Sequence, residues 1–262
     1  MRAPLIYVIN LATASDRRAF MCEQLDPLCL PYEFFQAIHG RSQPDHYLFQ
    51  KYNDEKRARR RGAGAALSLG QLGCFASHYL LWEKCVQENT TIIVLEDDAI
   101  VLPTFTQLYE QANDLADEYG LIWLQPSRKS AEQKGLPLKQ RGPFTIKKFA
   151  KGFSGTTGYV LNPKTAQCLL NYCQEWLYPV DNTMDRFFDH KIEAIGLDPV
   201  CITQEDEFES SIDGQSDKYK RSLSDRIRRE YASLNDTIKR NIHNFLFYIR
   251  HRMQPKAAQA TE

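Results

Sequence analysis

Four short apolar runs set what this chain can fold into: Leu5-Ile6-Tyr7-Val8-Ile9, Ile92-Ile93-Val94-Leu95, Leu121-Ile122-Trp123-Leu124 and Tyr159-Val160-Leu161. None alternates apolar with polar residues, so none reads as a strand with one wet face; each must be covered on both sides. Between them lie patterns of helical period. Leu72, Phe75, Tyr79, Trp82 and Val86 recur at that spacing, as do Phe105, Leu108, Ala112, Leu115 and Tyr119 behind Pro103-Thr104, and Thr165 to Trp176 follows Asn162-Pro163. Buried strands separated by helices predict an α/β protein with a mostly parallel sheet flanked by helices. Its 262 residues suffice for one or two domains. The expected division is one α/β domain over residues 1–217 and a helical C-terminal extension over 218–262.

Two stretches fall outside the alternating core. Residues 42–66 are polar, carry the basic run Lys56-Arg57-Ala58-Arg59-Arg60-Arg61 and end in Gly62-Ala63-Gly64, which predicts a mobile basic loop. From Lys218 onward, Arg226, Arg228, Arg229, Lys239, Arg240, Arg250 and Arg252 interleave with Leu234, Ile238, Ile242, Phe245, Leu246, Tyr248 and Ile249. That is a basic amphipathic helical tail, suited to an anionic membrane surface or simply to solvent. Lys and Arg balance Asp and Glu at 33 each, so no overall charge draws in nucleic acid, and no nucleic-acid-binding motif accompanies the basic tail. Seven cysteines without a C-x-x-C, mostly inside apolar segments, predict reduced, buried thiols and a cytosolic protein. The apolar run after Arg2 ends at Asn10, too short for a cleavable signal, and no segment approaches the ~20 apolar residues of a membrane span.

The chemistry concentrates at Glu96-Asp97-Asp98, three consecutive carboxylates ending a strand that should be buried. Ligands of open α/β sheets bind at such carboxyl ends. Three anions at one strand end are costly unless a cation shares them, and oxygen ligands suit Mg²⁺ or Mn²⁺. A solvated turn with an Asp capping a helix is the plainer reading of the same triplet.

The opening Ile6-Tyr7-Val8-Ile9-Asn10-Leu11 with Arg17-Arg18, the helix start Gly70-Gln71-Leu72-Gly73-Cys74-Phe75-Ala76-Ser77-His78, the strand end Leu95-Glu96-Asp97-Asp98-Ala99, and Gly155-Thr156-Thr157-Gly158-Tyr159-Val160-Leu161 together resemble glycosyltransferase family 25, in the family's order. The resemblance runs from about Leu5 to Glu205. It implies a GT-A-like, Rossmann-related fold, a UDP-sugar donor, a divalent metal (Mn²⁺ or Mg²⁺) and inversion at the anomeric carbon. The family's lipopolysaccharide and lipooligosaccharide transferases, often β-galactosyltransferases, further imply a lipid-linked saccharide acceptor and a cytoplasmic enzyme peripheral on the inner membrane of a Gram-negative bacterium. One residue departs from the family's G-E-x-G-C pattern: Gln71 stands where an acid is expected.

Under the resemblance the triplet is a D-x-D variant, with Asp98 a direct metal ligand, Glu96 nearer the donor ribose or sugar and able to share the metal, and Asp97 suited to either role. Asn10, Leu11 and Arg18 fall where the family places the nucleotide; Arg17-Arg18 also reads as a solvated helix start. Ser77 and His78 are assigned to the donor site, although His78 shares a helical stripe with Cys74, Leu81 and Cys85 and equally fits a satisfied core histidine. An inverting transfer needs a base for the acceptor hydroxyl. Asp181 is the candidate, with Asp185 one turn later; Asp181 also reads as a helix N-cap, and Asp185 as a partner of Arg186 or of the acceptor. The other readings are a same-family transferase using UDP-glucose or UDP-N-acetylhexosamine, a metal-dependent phosphohydrolase built on the triplet, and a non-catalytic saccharide-binding protein.

Overall fold

The computed structural model describes residues 3–61, 66–126, 135–153, 155–204 and 223–253. In chain order it has β1 (Leu5–Asn10), α1 (Ser15–Leu25), β2 (Tyr32–Gln36), α2 (Asp54–Arg61), α3 (Leu69–Glu88), β3 (Ile92–Glu96), β4 (Ala99–Val101), α4 (Phe105–Tyr119) and β5 (Leu121–Trp123). There follow β6 (Leu136–Arg141), β7 (Phe144–Lys148), β8 (Gly158–Leu161), α5 (Pro163–Tyr172), α6 (Val180–Met184), α7 (Phe187–His190), β9 (Ile195–Asp198), β10 (Ile202–Gln204) and α8 (Leu223–Met253). Eight strands form one sheet in the order β2-β1-β3-β8-β5-β9-β7-β6, and β10 pairs with β4 beside it. Only β8 and β7 run against the other six. The sheet is therefore mostly parallel and flanked by helices, as the apolar runs predict, and a C-terminal helix follows, as the basic amphipathic pattern predicts.

Successive residues of each central strand feed opposite cores. Ile6 and Val8 join Ile93, Leu95 and the apolar side of α4 on one face, whereas Tyr7, Ile9, Ile92 and Val94 join Phe75, Trp82 and Trp176 under α3 and α5 on the other. That is why these strands read as continuous apolar runs. Their burial is essentially complete, and at ~25 cal/mol per Å² it supplies the main driving force of the fold.

Helix starts follow local chemistry. Ser68 caps α3 in a capping box: its side chain accepts from Gln71 N, and the Gln71 side chain accepts from Ser68 N. An amide makes this bond as an acid does, so Gln71 fills the position without charge. Asn162 caps α5 by accepting from Thr165 N at 2.8 Å, with Pro163 at the first helical position.

Residues 42–66 are not the irregular loop that their composition predicts. They contain a 3-10 turn, Tyr47–Lys51, and helix α2; the Gly62-Ala63-Gly64 end lies outside the described residues. What composition hides is the docking partner. Arg57 Nη1 donates to Leu177 O at 2.6 Å, and Arg60 pairs with Asp236 of α8 at 2.5 Å. Asp236 also receives both terminal nitrogens of Arg186, at 2.9 and 2.7 Å, so one carboxylate joins α2, the segment after α6, and α8. No cysteine is in a disulfide, and Cys29 and Cys168 are exposed rather than buried.

Candidate active site

Three chain segments meet at one corner of the sheet. Ile9 of β1 lies opposite Glu96 of β3 in parallel register, and Gly158 of β8 lies opposite Leu95 in antiparallel register. The carboxyl ends of β1 and β3 therefore face the turn that enters β8.

Glu96 is held there by a chain of buried groups. Trp82 Nε1 donates to the Tyr159 hydroxyl at 2.9 Å, the same oxygen lies 2.9 Å from His78 Nδ1, and His78 Nε2 lies 3.2 Å from Glu96 Oε1. An ionised carboxylate only accepts, so an imidazole proton sits on Nε2, aimed at Glu96, and the phenol, which accepts from the indole, turns its own proton toward Nδ1. Thr156 Oγ1 donates to the same glutamate oxygen. Burial opposes ionisation of Glu96, yet these hydrogen bonds, with the charge of Arg17, outweigh it and bring the carboxyl below its ordinary value. The result is a fixed anion at the end of β3.

Cys74 completes a trio with His78 and Glu96 whose ligating atoms all lie within 4.8 Å of one another. Burial, and then the charges of Glu96, Asp181 and Asp98, push its thiol well above the ordinary range. A thiol and an imidazole are softer ligands than carboxylate oxygens, so this trio suits Mg²⁺ or Mn²⁺ less well than an all-oxygen set would. The charges of all three carboxylates thus act on this one thiol.

The other two triplet carboxylates differ sharply. Asp97 has both oxygens engaged: Asn10 Nδ2 donates to Oδ2 at 2.8 Å and Arg17 Nη1 to Oδ1 at 2.9 Å. Asp98 does not. Gln204 Nε2 donates to its Oδ2 at 3.0 Å, but Oδ1 is buried with no hydrogen-bond partner among the described residues. Burial, reinforced by Glu96 and Asp97, raises Asp98 to about 6. An orphaned carboxylate oxygen beside a fixed glutamate fits a hard divalent cation.

Asp181 and Asp185 both reach the glycine turn before β8. Pro179, not Asp181, occupies the N-cap of α6, which removes the capping reading. Asp181 Oδ2 accepts from Gly155 N at 3.4 Å, and its Oδ1 accepts from Asn182 Nδ2 at 3.0 Å. Asp185 Oδ1 accepts from Phe153 N at 2.6 Å. It packs so tightly on Gly152, whose φ is +72°, that a Cβ there would stand 2.6 Å from this oxygen. Arg186 is not its partner; that guanidinium pairs with Asp189 and Asp236.

Several expected contacts fall elsewhere. Arg17, rather than Arg18, reaches the triplet; Arg18 stacks 3.9 Å over Phe34, because consecutive helical residues point about 100° apart. Ser77 is fully buried and spent on the backbone, donating to Gly73 O and accepting from Ile38 N. Leu11 contributes its carbonyl to the turn that starts α1. Two supports carry no sequence signal of their own: Gln125, which spans Gly155 O and Gly158 N, and Gln204. Each is a neutral amide at or just past a strand end, with no motif around it.

The carboxyl edge of a mostly parallel α/β sheet is where such folds bind ligands, and here that edge carries the acidic triplet. The chain belongs to glycosyltransferase family 25: the family model, described as an LPS biosynthesis protein, matches residues 3–184. A "Glycosyltransferase 25 family member" of Aedes aegypti is 32% identical over 198 residues, 71% of this chain and 31% of that protein. The "Lipooligosaccharide biosynthesis protein lic2B" of Haemophilus influenzae is 25% identical over 170 residues, 62% of this chain and 61% of that one. "Procollagen galactosyltransferase 1-A" of Xenopus laevis is 26% identical over 223 residues, 75% and 35% respectively. The chain thus spans about a third of the insect and frog relatives. No helix among the described residues is long and apolar enough to cross a membrane.

Proposed function

We propose that the chain is an inverting, metal-dependent glycosyltransferase that moves a hexose, galactose from UDP-galactose, onto a lipid-linked saccharide of lipopolysaccharide type. The observation that carries this reading is the unpartnered, buried Oδ1 of Asp98 beside the anchored Glu96. The family description supports the saccharide acceptor, and the frog relative's name supports galactose.

Asp98, with Glu96, would hold Mn²⁺ or Mg²⁺. Bound there, the ion would neutralise charge developing on the departing nucleoside diphosphate. Asp97 braces the end of β1 through Asn10 and Arg17, fixing the floor on which the nucleotide rests. Asp181, partly exposed and presented by α6, takes the proton of the acceptor hydroxyl as its oxygen bonds to the anomeric carbon and the bond to phosphate breaks. Asp185 and Asp181 together tie down the glycine turn at Phe153 N and Gly155 N, so the wall of the sugar site is rigid before substrate arrives.

The tail supports attachment to an anionic membrane at the cytoplasmic face. Leu223, Ile227, Tyr231, Leu234, Ile238, Ile242, Phe245, Ile249 and Met253 are all exposed. They follow one another at intervals of four, four and three, which keeps them in one stripe along a helix about 46 Å long. Asp236, Lys239 and His243 face the domain, pairing with Arg186, Asp189 and Glu193. Arg228 and Arg250 border the stripe, the arrangement of an interfacial helix.

The test is a binding panel of UDP, GDP, UDP-galactose, UDP-glucose and UDP-N-acetylglucosamine with Mn²⁺ or chelator. Metal-dependent UDP binding with UDP-galactose preferred is expected. Preference for another UDP-sugar would change the donor, and no nucleotide binding at all would overturn the transferase reading.

A further inference from the structure

Beside the candidate base lies a polar cleft of about 180 Å³, formed where α2 and α6 meet α8. Arg61, Tyr178, Asn182, Asp185, Thr237 and Arg240 are among its lining residues. Its charges are unevenly matched. Arg186 is consumed by Asp189 and Asp236, and Asp236 by Arg186 and Arg60. Asp185 is turned to the backbone of Phe153. Arg61 and Arg240, by contrast, have no ion pair among the described residues. Their guanidinium groups lie over the rings of Tyr178 and Phe188 at 5.5 and 5.1 Å, and Arg240 Nε is buried without a hydrogen-bond partner.

Two guanidinium groups without an ion-pair partner, one with a stranded donor, call for an anion of small size, and planar guanidinium groups match phosphate or carboxylate oxygens with paired N–H donors. Stacking on aromatic faces holds both planes at little entropic cost. Asn182 links this cleft to the chemistry, since it lines the cleft and its amide also donates to Asp181 Oδ1 at 3.0 Å.

We propose that this cleft is an acceptor subsite for an anionic group, a phosphate ester or carboxylate carried by the acceptor saccharide, which Arg61 and Arg240 grip while Asp181 faces its hydroxyl. The assignment to an acceptor rests on the transferase reading; anion binding in the cleft does not. Helix α8 would then belong to the substrate site as well as to the outer surface, and no residue of it falls within the family match at 3–184.

The experiment titrates the full chain with glucose 6-phosphate, glucose and inorganic phosphate by calorimetry, with and without saturating UDP and Mn²⁺, for the wild type, Arg240→Ala, Arg240→Lys and Arg61→Ala/Arg240→Ala. Glucose 6-phosphate should bind whether or not UDP is present, glucose should not, and the double variant should lose at least tenfold in affinity, with Arg240→Lys between the two. Retained thermal unfolding midpoints and retained UDP binding would confirm that the variants are folded. Equal affinity in wild type and double variant, or displacement of glucose 6-phosphate by UDP, would overturn the proposal. Because this titration requires no transfer, it still reports if the protein proves to bind no nucleotide. Inorganic phosphate binding as tightly as the ester would overturn the saccharide part and leave a free-phosphate site.

Discussion

Asp185 Oδ1 accepts the backbone N–H of Phe153 at 2.6 Å, a bond that fastens helix α6 to the turn leading into β8. The carboxyl is nearly enclosed, and burial, with help from Asp181, lifts it to about 8. Between the ordinary aspartate value of ~3.9 and about 8, the folded chain holds a proton that the unfolded chain releases. For this group, stability is full below the lower value, declines as pH rises through the window, and is lost above about 8. Asp185→Asn keeps an oxygen for Phe153 N and removes the titration. The variant should be the more stable protein at pH 8.5, by about 2 kcal/mol or more, since each tenfold difference in proton affinity between the folded and unfolded chains is worth ~1.4 kcal/mol. The advantage should vanish near pH 4. Urea unfolding at the two pH values measures it; parallel profiles would contradict the burial argument.

Behind Glu96, the chain of hydrogen bonds makes a second prediction. Tyr159→Phe deletes the hydroxyl that joins Trp82 to His78, leaving two buried polar groups without partners. The loss should be on the order of 2 to 6 kcal/mol in urea unfolding, from about 1–3 kcal/mol for each stranded group. Transfer should also fall, because His78 no longer has a fixed tautomer with which to hold Glu96. Unchanged stability would mean that water or a rotated imidazole replaces the phenol.

Asp98 carries the third. Asp98→Asn removes a buried, repelled carboxylate, so in chelator the variant should unfold at a temperature equal to or above that of the wild type. It should gain nothing from Mn²⁺, and its transfer should be nearly abolished. Thermal unfolding with and without metal reads the first two independently of activity. A variant that retains both metal stabilisation and turnover would move the cation away from Asp98.

These residues also mark what the sequence discloses. The central strands and α3, α4 and α5 are legible because both faces of the sheet are covered, so their apolar runs and helical stripes have no competing explanation. β2, the β6–β7 hairpin and β9 lie toward the sheet edges or are interrupted by Lys, Gln and Gly, and their apolar signal is too weak to separate from loop. Helix α2 is hidden for a different reason: its polar residues are satisfied by Leu177 and Asp236, 120 and 176 positions away. At the site, the acidic triplet and Asp181 announce themselves by type and place. The division of labour within the triplet does not, because it depends on which oxygens Asn10, Arg17 and Gln204 happen to reach. Arg17 and Arg18 are indistinguishable in sequence; only the phase of α1 decides between them.

Helix α8 has a domain side and an outer side that can be altered separately. Ile238 and Ile242 are about half exposed on the stripe, whereas Asp236 and His243 are engaged with the domain. Ile238→Glu/Ile242→Glu should therefore leave stability within about 0.5 kcal/mol of the wild type, as surface changes usually do, while abolishing sedimentation with phosphatidylglycerol-containing vesicles. Wild-type binding should weaken with salt, since the charge of Arg228 and Arg250 acts over a Debye length of about 10 Å at 0.1 M. It should be much weaker on phosphatidylcholine vesicles of the same size. If the wild type instead ignores both vesicle types and sediments as a dimer that the double variant converts to monomer, the stripe is covered by a second copy of the chain and the membrane assignment fails.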